Sequence, residues 1–208
     1  MEPTDENLRA FDRAHKPAGH GERHLPELVR ESVSDLHGKR VLHLGSGTGE
    51  ATVEFAELGA SVTGVDPDEA ALEVAREQGP TVLWIHAELD ALPSELQRGR
   101  FDLVYAGPQT TQGARDLDLL SGGIASSLRA GGDLLLFDEH PAALCVDGLM
   151  HWREDYFAAG FRRLGQLVGA LARHGLVVRA LEEYPAGHGT FHDARIPETF
   201  LLHARKPR

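Results

Sequence analysis

The sequence contains a single cysteine, Cys145, among 208 residues, so an internal disulfide cannot form. Cysteine usage therefore gives no indication of an oxidising compartment. The first fifteen residues, MEPTDENLRAFDRAH, lack the apolar stretch of a signal peptide. No apolar run approaches the roughly 20 residues that a membrane-spanning helix requires. Together these absences predict a cytoplasmic protein that does not bind membranes.

Basic residues are scarce as well. Lysine and arginine total 21 against 32 aspartates and glutamates, which gives a formal net charge of −11. Such a surface repels phosphate backbones and anionic lipid headgroups, and no basic run offsets it. Nucleic acid is therefore not an expected partner. The length and the 41% hydrophobic content suit one domain with a buried core.

Short apolar runs alternate with helical patterns along most of the chain. Strands are predicted at 39–44, 60–65, 81–85, 101–105, 133–137, 176–181 and 199–204, and helices at 25–36, 50–58, 66–79, within 114–129, and at 164–174. This alternation predicts an α/β fold, a single Rossmann-like doubly wound domain with a mostly parallel sheet. No helix separates the last two strands, so they form an antiparallel hairpin or lie apart. Residues 1–24 are polar and broken by Pro17, Gly19 and Gly21, which predicts an N-terminal arm or lid before a domain at 25–208. The alternative is a disordered terminus.

A glycine loop follows the first strand in the stretch VLHLGSGTG, with glycines at positions 45, 47 and 49. The dinucleotide fingerprint G-x-G-x-x-G would place its third glycine at position 50, where this sequence has Glu50. A pyrophosphate at this helix N-terminus would meet a carboxylate of like charge. The Walker pattern is absent too. The loop is therefore expected to hold a ligand without a phosphate, although a simple tight turn is an alternative. Glu50 is at most a secondary contact, or it favours the positive end of its helix.

Two acidic residues follow the next two strands. Asp66 can accept hydrogen bonds from both hydroxyls of a ribose, and it also fits as the N-cap of a helix with Pro67 at its first position and Glu69 closing a capping box. Glu88 can accept from an exocyclic amine such as that of adenine, while the backbone N–H of Leu89 faces a ring nitrogen. Because strand ends share one edge of a parallel sheet, these groups are expected to bind one nucleoside.

On these motifs the sequence resembles the class I S-adenosylmethionine-dependent methyltransferases. VLHLGSGTGE resembles the first motif of that family, VTGVDPDEAAL the second and HAELDALP the third, with Glu88 where aspartate is more usual. GRFDLVYAG and LRAGGDLLLFDEHP resemble later motifs. The resemblance implies a seven-stranded sheet of order 3-2-1-4-5-7-6 with an antiparallel last pair, and S-adenosylmethionine as cofactor. The residues expected to contact that cofactor are Gly45, Ser46, Gly47, Gly49, Asp66, Pro67, Glu88, Leu89 and Tyr105.

Methyl transfer needs a general base only when the acceptor carries a proton that must leave. His140 is the predicted base, with Glu139 as its orienting residue or as an alternate base, because both follow the fifth strand at the ligand edge. The alternative is that His140 is a structural residue packed before Pro141.

Two histidine pairs have a spacing of four, His20 with His24 and His188 with His192, the latter followed by Asp193. Glycines disrupt a helix at both pairs, and no HExxH motif or cysteine ligand accompanies them, so no metal site is predicted. Trp84 and Trp152 are expected to be packing residues, and the alternative for Trp152 is that it forms a wall of an acceptor pocket together with Tyr156.

The resemblance implies transfer of a methyl group to an oxygen or nitrogen atom of a small molecule. The tetrad Asn/Asp-Pro-Pro-Tyr of amino-methylating nucleic-acid enzymes is absent, because YAGPQ follows the fourth strand. Two alternatives remain open: a non-catalytic protein that binds S-adenosylmethionine or S-adenosylhomocysteine, and an NAD-dependent oxidoreductase. The oligomeric state is not predicted, and a homodimer is one option.

Overall fold

The fold is a seven-stranded sheet of order β3-β2-β1-β4-β5-β7-β6, seen in a computed structural model that describes residues 26–33, 35–147, 151–158, 160–185 and 196–208. β1 to β5 pair in parallel, while β7 pairs antiparallel with both β5 and β6. The predicted fold class, strand order and terminal hairpin are confirmed.

The strands are β1 Arg40–Leu44, β2 Ser61–Asp66, β3 Leu83–His86, β4 Phe101–Ala106, β5 Leu128–Glu139, β6 Val177–Pro185 and β7 Pro197–Arg205. The helices are α1 Glu27–Ser32, α2 Glu50–Glu57, α3 Glu69–Gln78, α4 Thr110–Gly113, α5 Leu117–Ser127 and α6 Leu164–Arg173, and a 3₁₀ turn lies at Ala143–Cys145.

The sheet is covered by apolar packing on both faces, as expected for a parallel sheet. Alternate residues of each central strand enter different cores. Leu42 and Leu44 of β1 join the core beneath α5 and α6, whereas Val41 joins the core that includes Val29 of α1 and Phe55 of α2. Because both faces of the central strands are buried, their sequences are nearly continuous apolar runs.

The third helix begins later than the sequence predicts. Its N-cap is Asp68, whose carboxylate accepts hydrogen bonds from the backbone N–H groups of Ala70 and Ala71. The prediction that Asp66 is the N-cap and Pro67 the first helical residue is therefore wrong. Both aspartates are chemically suited to a cap, and the later one takes that place, which leaves the carboxylate of Asp66 for other partners.

Other differences lie around β5. This strand already begins at Leu128 and runs through Gly131 and Gly132, whereas the sequence predicts its start at residue 133. The segment 107–113, where no helix is predicted, includes the short helix α4. The predicted arm at 1–24 and residues 186–195 lie outside the described residues, and with them the histidines at 20, 24, 188 and 192 and Asp193. Within the described part of the chain, no helix is long and apolar enough to cross a lipid bilayer.

Candidate functional site

The glycine loop between β1 and α2 lies against the end of β2. The backbone N–H groups of Gly45 and Ser46 both donate to the carbonyl oxygen of Val65, at 2.9 and 3.1 Å. Gly45 and Gly47 have φ angles of 72° and 51°, in the region that glycine adopts without steric cost. The loop is thus held by main-chain bonds that do not depend on its side chains.

Asp66, the last residue of β2, joins two segments of this site. Its Oδ2 accepts from the N–H of Gly47 at 2.7 Å, and its Oδ1 accepts from the N–H of Asp68 at 2.9 Å. The residue is only 8% exposed. A carboxylate offers about four acceptor positions, so each oxygen retains capacity for one more donor. Two neighbouring hydroxyl groups, such as those of a ribose, match that remaining capacity.

The remaining loop residues differ in what surrounds them. A Cβ atom built on Gly47 would meet no heavy atom within 4 Å, so the space beside it is open. The hydroxyl of Ser46 is buried and has no hydrogen-bond partner among the described residues. Gly49, by contrast, faces away from this space: a Cβ there would lie 2.7 Å from the indole ring of Trp84 and 2.9 Å from Cβ of Ala75. Gly49 therefore allows close helix–sheet packing, and Trp84 is the packing residue predicted.

Glu88 and Leu89 follow β3, next to Asp66 in the strand order. Leu89 is 7% exposed and packs into the core. The Glu88 side chain is half exposed, and its Oε2 lies 3.1 Å from the guanidinium of Arg115. The carboxylate of Asp90 anchors the same segment by accepting from the backbone N–H groups of Arg115 and Asp116. Arg115 and Asp90 are site residues that the sequence did not single out.

His43 of β1 lies directly before the glycine loop and was also missed. Its ring is 2% exposed, and Nδ1 lies 2.7 Å from the hydroxyl of Thr52 in α2. Nε2 faces Gly107, since a Cβ built there would be 3.2 Å from this nitrogen. Burial lowers the pKa of His43 to about 3, so the ring is neutral. A polar residue between two leucines in VLHLG was the available signal, because a buried imidazole needs a partner.

Tyr105 pairs with His43 across β1 and β4, and the two ring centroids are 4.8 Å apart. Its ring also packs edge-on against Phe55, 5.2 Å away. The residue is 1% exposed, and burial together with the charge of Asp138 raises the pKa of its hydroxyl. Tyr105 thus lies in the core below the site, and a contact between this residue and the cofactor stays a prediction.

His140 follows β5, and both of its ring nitrogens have partners. Nδ1 accepts from the backbone N–H of Ala142 at 3.0 Å, which leaves the proton on Nε2, 2.8 Å from Oε1 of Glu183 in β6. Burial lowers the pKa of His140, and the hydrogen bond that its ring donates to Glu183 opposes that change. The main chain of Glu139 donates to Asp138 at 2.8 Å. The assignments of His140 as base and Glu139 as its partner stay predictions, and proton uptake at Nδ1 would require loss of the Ala142 bond.

A segment between β5 and α6 is fastened to the loop after β4. The amide of Gln112 pairs with the main chain of Arg162, donating to its carbonyl at 2.8 Å and accepting from its N–H at 3.3 Å. The Arg162 guanidinium donates in turn to the carbonyl oxygens of Ala114, Arg115 and Gly160. Trp152, in the same segment, is 60% exposed, so the prediction that it is a packing residue is wrong. Its role in an acceptor pocket stays a prediction.

The polar groups at the ends of β1 and β2 match hydrogen-bonding groups of a nucleoside. Within the described ranges, no group of three or more histidine, cysteine, aspartate or glutamate side chains is arranged to hold a metal. Gly47 and Asp66 offer open space and, beside it, a carboxylate with unused acceptor capacity on adjacent strand ends.

Sequence comparison matches residues 41–132 to a family described as a methyltransferase domain. The chain is 33% identical over 159 residues to a ribosomal protein L11 methyltransferase of Geobacter sulfurreducens, a match that covers 76% of this chain and 48% of the relative. It is 37% identical over 82 residues to a ubiquinone biosynthesis O-methyltransferase of Bordetella avium, covering 38% and 34% of the two chains. The chain therefore spans about half or less of the length of these relatives.

Structure comparison gives a match over nearly the whole domain. The crystal structure of an S-adenosylmethionine-dependent methyltransferase from Mesorhizobium loti superposes with a TM-score of 0.70 at 27% identity, covering 86% of this chain and 96% of the other. A second structure, of a putative S-adenosylmethionine-dependent methyltransferase from Listeria monocytogenes, has a TM-score of 0.72 at 19% identity. The second match concerns the fold alone.

Proposed function

We propose that this chain, which belongs to the class I S-adenosylmethionine-dependent methyltransferases, transfers a methyl group from S-adenosylmethionine to an oxygen or nitrogen atom of a small molecule. The observation that carries the proposal is the Asp66 carboxylate. It is buried, it is bonded to the N–H of Gly47, and it has acceptor capacity left beside open space.

The residues at three strand ends would hold the cofactor. Asp66 would accept from the ribose hydroxyls, and the loop from Gly45 to Gly47 would receive the amino-acid end. Glu88 would accept from the adenine amine at the oxygen that faces away from Arg115. S-adenosylmethionine supplies an electrophilic methyl group on a positively charged sulfur. The protein would contribute position, because alignment of an acceptor against that carbon provides much of the rate.

A proton must leave when the acceptor is a hydroxyl or an ammonium group. We keep His140 as the candidate base, with Glu183 added as the residue that fixes its tautomer. In this arrangement the lone pair on Nδ1 is directed to Ala142, so the 3₁₀ turn at Ala143–Cys145 would have to move for proton transfer. A pH–rate profile that loses its acidic limb in a His140→Asn variant supports the assignment, and an unchanged profile refutes it.

The acceptor class rests on charge and on the relatives. The formal charge of −11 disfavours DNA and RNA. The match to the O-methyltransferase of Bordetella avium covers 38% of this chain, and so short a match supports the identity of the methyl donor more than the identity of the acceptor. A ribosomal protein is the second candidate acceptor, because the match to the L11 methyltransferase covers 76% of this chain.

The experiment is a transfer assay with S-adenosylmethionine labelled in its methyl group. The panel contains phenols, catechols, primary amines and isolated ribosomal proteins, and release of S-adenosylhomocysteine is measured in parallel. Transfer of the label to a phenol, catechol or amine supports the proposal. Transfer only to ribosomal protein would show that the acceptor is a protein and not a small molecule. Binding of S-adenosylhomocysteine without any transfer indicates the non-catalytic alternative, and a thermal shift with NAD alone indicates the oxidoreductase.

A further inference from the structure

The carboxylate of Asp138, at the end of β5, is buried and binds the main chain of a different segment. The residue is 1% exposed. Its Oδ1 accepts from the N–H of Gln109 at 2.6 Å and from that of Glu139 at 2.8 Å, while Oδ2 accepts from the N–H of Thr111 at 2.8 Å. Two of these three donors belong to the loop at 107–113, which follows β4.

The segment that Asp138 binds has an unfavourable backbone conformation. Gln109 has a φ angle of 68°, and it is the only non-glycine residue with a positive φ in the part of the chain that the structure describes. A side chain in this region is strained, so surrounding bonds must hold it there. The Gln109 side chain is exposed and gives no packing of its own. The Asp138 carboxylate supplies hydrogen bonds on either side of the turn.

The same loop packs directly against the glycine loop. The N–H of Gly107 donates to the carbonyl of Leu44 at 3.1 Å, and the hydroxyl of Thr110 donates to that same oxygen at 3.3 Å. Thr110 is so close that a Cβ on Gly45 would lie 2.8 Å from its hydroxyl oxygen. A shift of the 107–113 loop would therefore change the surroundings of Gly45.

An asparagine could not replace this carboxylate without loss. Asparagine has the same shape but only one acceptor oxygen, and its NH₂ group would face an N–H. Burial raises the pKa of Asp138, and the hydrogen bonds from Thr111, Gln109 and Glu139 oppose that shift. Retention of an acid at so buried a position fits a requirement for several backbone donors to be bound at once.

We propose that Asp138 is a positioning residue that holds the 107–113 loop against the glycine loop and so shapes the wall of the cofactor pocket. This inference rests on the proposed function, since it concerns the affinity of the same pocket. Asp138 acts at a distance, through the main chain of Gln109 and Thr111, and it is not a catalytic residue.

The test uses the exposed Gln109, so the core is left intact. In the full chain, Gln109→Val disfavours the positive φ and is expected to weaken binding of S-adenosylhomocysteine by about tenfold, which corresponds to about 1.4 kcal/mol. Gln109→Gly removes the strain and should bind at least as tightly as the wild type. Isothermal titration measures both, and melting temperatures are recorded in parallel. Equal affinities of the valine variant and the wild type overturn the proposal.

A second pair of variants examines the carboxylate itself. Asp138→Asn should weaken binding of S-adenosylhomocysteine about tenfold or more. Adding Gln109→Gly to this variant should restore part of the lost affinity. A purely structural role of Asp138 would not predict that recovery. The matched control is Asp133→Asn on the same strand, where the carboxylate pairs with Arg205 far from the site; it should lower the melting temperature without changing affinity. If Asp138→Asn does not fold, the comparison of Gln109→Val with Gln109→Gly tests the proposal. A wild-type protein that does not bind S-adenosylhomocysteine refutes the proposed function, whereas normal binding by all variants refutes only this inference.

Discussion

Mild acid should destabilise the fold through His43. The ring is 2% exposed and is uncharged at neutral pH, because burial lowers its pKa from 6.5 to about 3. The unfolded chain takes up a proton at this residue below about pH 6.5, whereas the folded chain does not until about pH 3. The stability that the neutral ring provides is therefore complete above pH 6.5 and is lost progressively as the pH falls towards 3.

The size of the effect follows from the difference between the two pKa values. Each pH unit below 6.5 costs about 1.4 kcal/mol of unfolding free energy until the folded protein is protonated as well. At pH 5 the loss is therefore about 2 kcal/mol, a substantial part of the roughly 5–15 kcal/mol that stabilises a typical domain. The hydrogen bond to Thr52 does not change this sign, since a neutral imidazole can either donate or accept there.

Urea unfolding near pH 7.5 and near pH 5 measures the effect. The test variant is His43→Gln, whose amide can still bond Thr52 but takes up no proton. It should be less stable than the wild type at pH 7.5 and should lose about 2 kcal/mol less on acidification. His151→Gln removes a histidine whose side chain is 61% exposed and is the matched control. A wild type and a His43→Gln variant with the same dependence on pH would refute this account of a buried neutral ring.

Three further predictions concern packing, base recognition and the loop after β4. Gly49→Ala should lower the unfolding free energy by about 2 kcal/mol in urea, because its Cβ would lie 2.7 Å from Trp84, whereas unchanged stability would contradict the close packing. Glu88→Ala should weaken S-adenosylhomocysteine binding by roughly fivefold in titration calorimetry and Glu88→Gln by less, since an amide oxygen still accepts from an amine; equal effects would argue against that role. Arg162→Met leaves carbonyls such as that of Ala114 without their donor and should cost about 1–3 kcal/mol in urea, and a loss below 0.5 kcal/mol would show that these bonds contribute little.

The sequence predicts the strands of the sheet well because glycines at helix ends separate the apolar runs. Gly59 and Gly79 follow the second and third helices, and apolar runs of strand length lie between such boundaries. The reversed final pair follows from the absence of a helix between β6 and β7. The glycine loop and Asp66 were predicted as neighbours for the same reason, since the carboxyl ends of adjacent parallel strands share one edge.

Predictions about individual side chains depend on contacts that sequence spacing does not contain. Asp66 and Asp68 are equally suited to cap α3, and the choice between them depends on the N–H of Gly47, nineteen residues away from Asp66. The partner of His140 is Glu183, forty-three residues later, on a strand that reaches it only through the hairpin. Gly49 belongs to the ligand motif by spacing, yet its neighbours are Trp84 and Ala75.

The role of Asp138 could not be read from sequence for a related reason. Its partners are main-chain groups, and any residue other than proline at 109 and 111 would supply the same N–H donors. Only the positive φ of Gln109 reveals that the segment needs support. A carboxylate at the end of a parallel strand was the one available signal, and it was shared with Glu139 next to it.

The most direct test of the account is titration of S-adenosylhomocysteine into the wild type, an Asp66→Ala variant and an Asp68→Ala control. The wild type should bind, and loss of the carboxylate that we propose accepts from two ribose hydroxyls should weaken binding by about tenfold to a hundredfold. Asp68→Ala removes only the cap of α3 and should bind like the wild type despite lower stability. An Asp66→Ala variant with the wild-type dissociation constant would contradict the claim that the residues at neighbouring strand ends bind a nucleoside.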